Sequence, residues 1–569
     1  MDDDLRDRIE REAETAALFN SLKHESDAQV GAILGPLMGE NPEFRKHGDA
    51  VAGVVAPIVE EINGLSQAER RDRLAELAPE RIEELDAEDE DDHPLGELPN
   101  AEDGDVRMRL APNPNGPWHL GSARMPAVIG TYKKLYDGWM LCRFDDTDPE
   151  TKRPDLDAYD AILGAIDYLG FEPDAVVKAS DRLETYYDHG RRLIDAGGAY
   201  TCSCTAESFS ELKNAGEACP HRDKDRETTR AEFEAMIDGE YDAGEIVLRV
   251  RTDIEHPNPA LRDWVAFRIV DTPHPREAAA EYRCWPMLDF QSGIDDRLFE
   301  ITHIVRGIDL QDSAKRQRFV YDYFDWEYPE VIHWGHVQID AYDVEMSTST
   351  IKQLVESGDL DGWDDPRAPT VASLRRRGIR GEAIVEAMIG LGTSTSNVDL
   401  SMSAIYSANR DLIDDETDRA FFVRQGVRKP LLGGPDVAEP PLHPDHEERG
   451  RRTIPVGDSV SIEPDDVPPV GDRIWLKGLG PVRHTEDGFE FTDEEIGIVR
   501  NEGVDVVHWV PAEASVPLRL RTMDGDVRGA AEPGVLEYGS DDMLQFERIG
   551  FARIDRHTES ETIAYFAHR

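Results

Sequence analysis

The sequence predicts a multidomain α/β protein, with an α/β nucleotide-binding core between a helical N-terminal region and an all-β C-terminal region. Three observations carry this: a β-α-β pattern over Val106–Asp148, apolar residues at helical spacing ahead of it, and short strands with dense turn residues behind it. At 569 residues the chain is too long for a single hydrophobic core, so several domains are expected.

Residues 1–83 read as a helical extension. Leu5, Ile9, Ala13, Ala16 and Ala17 keep helical spacing, as do Val51, Val54, Val55, Ile58 and Ile62. Residues 84–105 are acidic and broken by Pro and Gly, the pattern of an exposed linker. In the β-α-β unit, Val106–Ala111 is the first strand. Asn113-Pro-Asn-Gly-Pro117 ends it, because proline lacks a donor and Asn and Gly favour turns. A helix follows from about His119 to Tyr136, with Gly138 as its C-terminal stop. Trp139–Phe144 is the second strand, and Asp145, Asp146 and Asp148 sit at its carboxyl end. The loop therefore opens onto a helix N-terminus, whose unpaired N–H groups and dipole suit a phosphate. It matches neither of the two common glycine-rich phosphate loops, and carries Pro117-x-His119-x-Gly121-Ser122 instead.

Here the residues point to a family. Arg109-Leu-Ala-Pro-Asn-Pro-Asn-Gly-x-x-His-Leu-Gly-Ser122 resembles the first signature of the class I aminoacyl-tRNA synthetases, in the glutamyl/glutaminyl branch. Leu141-Cys-Arg-Phe-Asp-Asp-Thr-Asp148 resembles that branch's next block, and the resemblance covers most of the chain after residue 105. It implies a Rossmann-like catalytic domain in two halves, 106–198 and 285–343, around an acceptor-end-binding insertion at 199–284. A second-signature loop and helical connector at 344–428 follow, then a β-barrel anticodon-binding region at 429–569. Archaeal-type glutamyl members are similar in having both a helical extension and C-terminal β-barrels, where bacterial glutamyl members end in helices.

The residues themselves support that order. Leu156–Leu169 and Leu183–Ala196 read as helices, and Gly244–Arg251 and Trp264–Val270 as strands of the insertion. Ser459–Ile462, Arg473–Leu476, Phe489–Phe491, Val504–Val510, Leu518–Arg521 and Thr562–Ala567 read as strands of the β region. Within the insertion, Cys202-x-Cys204 and Cys219-x-His221 are separated by fourteen residues. Three thiols and an imidazole suit tetrahedral zinc if a knuckle brings the pairs together. The alternative is small buried residues, since Cys202 and Cys204 alternate as a strand would.

The blocks Trp285–Asp296 and Ile301–Gly307 resemble the family's amino-acid pocket. A strand Phe299–Val305 would end at Arg306, where a doubly wound sheet presents ligand contacts and an arginine fork suits a carboxylate. Leu288 stands where the family usually has tyrosine. Val344-Glu-Met-Ser-Thr-Ser-Thr-Ile-Lys352 occupies the place of the second signature. Glu345 and Thr348 replace its lysines; Met346, Ser347 and Ser349 remain, and Lys352 is the nearest cation. Arg375, Arg376 and Arg377 are locally basic, which suits either tRNA backbone contact or a solvated helix face.

The resemblance implies ATP-dependent ligation of L-glutamate to tRNA(Glu) through a glutamyl-adenylate, with Mg2+ travelling with ATP. It leaves a structural Zn2+ at Cys202, Cys204, Cys219 and His221 open, since some family members keep such a site and others have lost it. It assigns His119, Gly121 and Ser122 to catalysis and ATP, with Met346, Ser347, Ser349 and Lys352 also at ATP. Arg109, Asp145, Ser292 and Arg306 fall to the amino acid. Asp146 and Asp148 are expected to brace the loop. A glutaminyl enzyme, an inactive tRNA-binding module and a tRNA-modifying paralogue remain alternatives, and tRNA(Gln) is a second candidate substrate.

Composition bounds the setting. Net charge is -55, from 63 basic and 118 acidic residues, against 39% hydrophobic residues, too many for a disordered acidic chain. A carboxylate surface spread along the whole sequence fits a soluble, halophilic protein in concentrated salt, where repulsion is screened over a few ångströms. Five cysteines, a charged helical N-terminus and no apolar run of about 20 residues point to a reducing cytoplasm, away from membranes. A monomer is expected, though nothing in the sequence fixes the oligomeric state.

Overall fold

The computed structural model describes residues 3–23, 28, 30–40, 44, 48–79, 81–82, 93–339, 341–342, 344–492 and 503–569. It divides into two compact units, Met1–Gly96 and Glu97–Arg569. The first is helical: Asp3–Lys23, Val30–Glu40, Gly48–Asn63 and Gln67–Leu77. Ile9, Ala13, Ala17, Val51, Val55 and Ile62 form its core, with Leu5, Ala16, Val54 and Ile58 packed against them, as the spacing predicts. Ser66 caps the fourth helix with a capping box to Glu69. Of the expected linker, residues 84–92 lie outside the described residues. Residues 97–105 are no free tether: Leu98 is buried and donates its N–H to the Tyr136 hydroxyl at 2.9 Å.

The second unit is built on a parallel sheet. Strands β1 (Arg107–Leu110), β2 (Trp139–Phe144) and β3 (Ala175–Lys178) pair in the order β1-β2-β3. Two later strands, His303–Gly307 and Glu330–Trp334, pair in parallel beside β1. Thr302 joins the two parts, donating its N–H to the Arg107 carbonyl and accepting the Arg107 N–H on its hydroxyl. The order thus reverses at β1, the position where doubly wound sheets bind ligands. The loop after β1 runs into a 3-10 turn, Leu120–Ala123, and helix Arg124–Leu135. That helix ends differently from expectation: Asp137 takes the left-handed conformation (φ 45°) and Gly138 does not. Gly138 is needed for closeness, because a Cβ there would lie 2.6 Å from the Val106 carbonyl oxygen. Arg306 also lies inside its strand rather than beyond it. Phe299 caps helix Leu288–Leu298, and the strand begins only at His303.

The insertion is an antiparallel meander of β4 (Ala199–Cys202), β5 (Val247–Val250), β6 (Val265–Ile269) and β7 (Cys284–Pro286). In chain order, β8 (His303–Gly307) and β9 (Glu330–Trp334) then return to the parallel sheet. Helices Thr348–Ser357, Val371–Arg377, Gly381–Ile389 and Met402–Ile413 lead from there to the β region. That region begins at strand Asp418–Ala420, ahead of residue 429, and contains two seven-stranded sheets. In one sheet Asp418–Ala420 and Phe422–Arg424 form opposite edges; in the other Val506–Val507 and Val510–Pro511 do. Neighbouring residues at both edges require each sheet to curl back on itself as a barrel does. The expected single strand Val504–Val510 is broken for the same reason, at His508-Trp509 between the two edges. Among the described residues, no helix is long and apolar enough to cross a membrane.

Candidate active site

The two signature segments meet at glycines. His119 is extended (φ -70°, ψ 162°), and its Nε2 lies 3.2 Å from the Ser122 hydroxyl. Its Nδ1 is buried without a partner among the described residues. Burial also holds the imidazole below its ordinary pKa. A Cβ on Gly121 would stand 3.1 Å from Met346 and 3.3 Å from the His119 ring. A Cβ on Gly116 would stand 2.7 Å from Thr348 and 3.0 Å from Trp363. Backbone therefore passes close to the second-signature loop at both positions: at Gly116 a Cβ would clash with Thr348, and at Gly121 the Met346 methyl would have to give way. Across that gap Ser347 and Ser349 pair through their hydroxyls at 3.0 Å, at the start of helix Thr348–Ser357. Lys352 is not idle: its ammonium lies 3.3 Å from Asp155.

Beside β1 and β8 is a cavity of about 150 Å³, lined by Arg109, Arg143, Asp145, Leu288, Ser292 and Arg306 among others. Arg143, fully buried on β2, is a pocket residue that the sequence reading does not assign. It donates from Nε to Asp145 Oδ1 and from Nη1 to Asp296 Oδ1, both at 2.7 Å. Arg109 reaches the same Asp296 oxygen at 3.2 Å. Burial pushes the Asp296 carboxyl up, but Arg109, Arg143 and Arg306 outweigh it and hold the group below the usual carboxylate range. Asp289, also on the wall, pairs with Arg316 at 2.7 Å. Among the described residues, three guanidiniums (Arg109, Arg143, Arg306) thus face two carboxylates (Asp145, Asp296), leaving one positive charge uncompensated.

That charge belongs to Arg306. Among the described residues its nearest carboxylate oxygen, on Asp296, is 4.0 Å away, and its Nε has no partner. Asp145 lines the cavity, but its carboxylate already receives Arg143 and, at 2.8 Å, the Gln291 amide. Asp146 accepts from the Ser180 N–H and hydroxyl and from Tyr159, and Asp148 from Arg268 and two backbone N–H groups, so both act as braces.

The comparisons with known proteins follow the same blocks. Residues 105–415 match the family model of the class I (E and Q) tRNA synthetase catalytic domain; residues 417–499 and 506–555 match two models of that class's anti-codon binding domain. The chain belongs to this family. It is 76% identical to a glutamate--tRNA ligase of Natronomonas pharaonis and 72% identical to one of Haloarcula marismortui, in both cases over 100% of each chain. It is 43% identical to one of Methanosarcina acetivorans, over 98% of each.

Elsewhere in this synthetase the arginine cluster departs from the tRNA-contact expectation. Arg376 pairs with Asp364 and, at 2.9 Å, with Asp555. Arg377, buried, donates to the Phe566 and Ala567 carbonyls at 3.0 and 2.5 Å and to Tyr406. These two dock helix Val371–Arg377 onto the last β strands, and their donors are already taken by protein groups. Arg375 alone is exposed, over the Tyr168 ring.

The cysteine pairs do meet. Cys202, Cys204, Cys219 and His221 bring their donor atoms within 4.8 Å of one another. Cys202 and Cys219 sulfurs are 3.8 Å apart, and His221 Nδ1 lies 3.4 Å from Cys204 and 3.8 Å from Cys202. A tetrahedron with metal–sulfur bonds of about 2.3 Å has sulfur–sulfur edges of about 3.8 Å. The donor set therefore fits zinc, and Ser203, 3.0 Å from His221 Nε2, orients the ring from behind.

Proposed function

We propose that this synthetase joins L-glutamate to tRNA(Glu) in two steps. An oxygen of the glutamate α-carboxylate attacks the α-phosphorus of ATP, and the bond to the β-phosphate breaks to release diphosphate. The terminal ribose hydroxyl of the tRNA then attacks the glutamyl carbonyl carbon, and AMP leaves. Both steps need alignment and charge stabilisation more than a strong base.

The observation that carries the reading is the single uncompensated guanidinium in the amino-acid cavity. Glutamate carries a net charge of -1 and glutamine carries none, so the acid neutralises the pocket and the amide does not. Arg306 and Arg109 would take the substrate carboxylates, and Asp145 with Ser292 its ammonium end. His119, Gly121 and Ser122 would hold ATP with Met346, Ser347 and Ser349, and Mg2+ would travel with the nucleotide. Lys352 is in a half-exposed ion pair, worth under about 1 kcal/mol, which a diphosphate could displace.

A second cavity of about 520 Å³ shares Leu288, Asp289 and Ser313 with the first and adds Lys213, Arg249, Trp264 and Arg316. Its cations, rare on so acidic a chain, favour approach of the tRNA 3′ end from the insertion. Zinc at Cys202, Cys204, Cys219 and His221 would fix the shape of that insertion. Metal analysis of purified protein should return about one zinc per chain; none, with full activity, would refute the metal assignment.

The deciding experiment is aminoacylation with glutamate and with glutamine on purified tRNA(Glu) and tRNA(Gln), with size-exclusion chromatography to read the expected monomer. Glutamate on tRNA(Glu) is the expected product. Transfer of glutamine in its place would overturn the reading.

A further inference from the structure

We infer that Gln317, braced by Tyr328, is a specificity-determining positioning residue: it holds Arg306 with a neutral carbonyl, so that the full guanidinium charge stays available to the substrate carboxylate. This rests on the reading of Arg306 as the contact to the glutamate side chain.

A buried arginine ordinarily faces a carboxylate. Arg306 instead faces an amide. Its Nη1 and Nη2 each lie 3.4 Å from Gln317 Oε1, a long fork onto one oxygen. The orientation of that amide is dictated by its neighbours. The Tyr328 hydroxyl donates to Oε1 at 2.5 Å, and Nε2 donates to the Ser292 hydroxyl at 2.6 Å. Turned over, the amide would set N–H donors against the guanidinium and against the hydroxyl proton. Gln317 is 1% exposed on helix Gln311–Phe324 and is not among the cavity's lining residues, whereas Ser292 and Arg306 are. It therefore touches the arginine and not the space the ligand would fill.

The chemistry follows from the neutrality of the brace. A carboxylate at position 317 would have the same length and would form an ion pair with Arg306. The pocket would then hold three guanidiniums against three carboxylates, and its preference for an acidic side chain would vanish. An apolar residue would leave the charge but let the guanidinium wander. Glutamine both holds the arginine and leaves its charge unmatched. Leu288 makes this brace weightier here, since it provides no hydroxyl at the cavity wall to help select the side chain.

The test compares Gln317→Glu, Gln317→Met, Tyr328→Phe and Arg306→Leu as full-length proteins in concentrated KCl. Aminoacylation rates are measured against glutamate, glutamine, ATP and tRNA. Gln317→Glu should raise KM for glutamate on the order of a hundredfold, because like charges facing each other in a dry pocket repel strongly. KM for ATP and for tRNA should stay within about twofold, and the preference for glutamate over glutamine should collapse. Gln317→Met should raise the glutamate KM about tenfold, and Tyr328→Phe should act in the same direction. A residue with only a structural role would move all substrates together and leave the glutamate-to-glutamine ratio alone, which would overturn the inference. If Arg306→Leu raises the glutamate KM and Gln317→Glu does not, the inference fails while the reading of Arg306 stands. If Arg306→Leu leaves the glutamate KM unchanged, the reading of Arg306 itself fails. Should Gln317→Glu not fold by circular dichroism, unchanged glutamate KM in both Gln317→Met and Tyr328→Phe overturns the proposal.

Discussion

Two groups of three arginines in this molecule are alike in composition and do opposite things. Arg109, Arg143 and Arg306 converge on a cavity where, among the described residues, two carboxylates answer them. Arg375, Arg376 and Arg377 follow one another on one short helix, and the last two are held by carboxylates, carbonyls and a phenol of neighbouring segments. The first group comes from three separate strands and leaves a charge over. On the helix, Arg376 is taken by carboxylates and Arg377 by buried carbonyl and phenol acceptors, while Arg375 stays exposed. Whether an arginine can meet a ligand is decided by its remaining partners, and partners from distant segments are invisible to a local reading.

The largest effect that would sharpen this contrast is at Arg143. Removing it as Arg143→Met leaves Asp145 and Asp296 short of their shared cation in a dry site, which typically costs about 3–5 kcal/mol. Chemical denaturation in concentrated KCl should show a loss of that size. A change below about 1 kcal/mol would mean that solvent reaches the pair and that the pocket carries no uncompensated charge.

Arg306 should behave in the opposite sense. Burial and the neighbouring Arg109 draw its guanidinium below the usual value, so the folded chain gains little from its charge. Arg306→Leu should therefore leave stability unchanged or raise it, while kcat/KM for glutamate falls about a hundredfold or more, because a desolvated substrate carboxylate would have no cation facing it. A variant that loses stability and keeps its kinetics would break the comparison.

Arg377→Met should come next, at about 2 kcal/mol of stability for hydrogen bonds from a charged donor to buried acceptors. KM for glutamate should not move. The slope of tRNA affinity against salt should not move either, because Arg377 touches no phosphate. A slope smaller by about one unit would restore the arginine cluster as a tRNA contact.

How much of this was legible in the sequence follows the same division. The β-α-β unit, the helices of the extension and most β-region strands were readable because their periodicity is local. So was the nearness of His119, Gly121 and Ser122, which lie in one run. Arg143 and Asp296 both fall within the blocks that resemble the family, and the signal was an arginine in the apolar strand Trp139–Phe144. What could not be read was that Asp296, from helix Leu288–Leu298, would answer both it and Arg109. Gln317 gave no signal at all, since its meaning depends on Tyr328, Ser292 and Arg306 arriving from three other elements. The start of the β region at Asp418 was missed because three-residue strands carry too little alternation to register.

The smallest effect concerns His119. Burial lowers the pKa of its imidazole in the folded chain, while the unfolded chain keeps a value near about 6.5. Below that pH the unfolded state binds the extra proton more readily than the folded one. Stability therefore rises with pH there, and is lost as pH falls through about 6.5 toward the folded value, by at most about 1.4 kcal/mol per pH unit from this one group. Other buried histidines, among them His189, His274 and His508, are shifted the same way, so the wild-type slope is a sum. The informative quantity is the difference between wild type and His119→Asn, measured by denaturation from about pH 7.5 to about pH 5. That difference should be flat above about pH 7 and should grow in favour of the variant below about 6.5. The same shift predicts that kcat/KM for ATP shows no break near about pH 6.5 from this residue, since the neutral imidazole with its unpartnered Nδ1 persists to lower pH. A break above about 6.5 that disappears in His119→Asn would show that bound nucleotide stabilises the charged ring, and would make His119 a cationic partner of phosphate, like the arginines, rather than a neutral one.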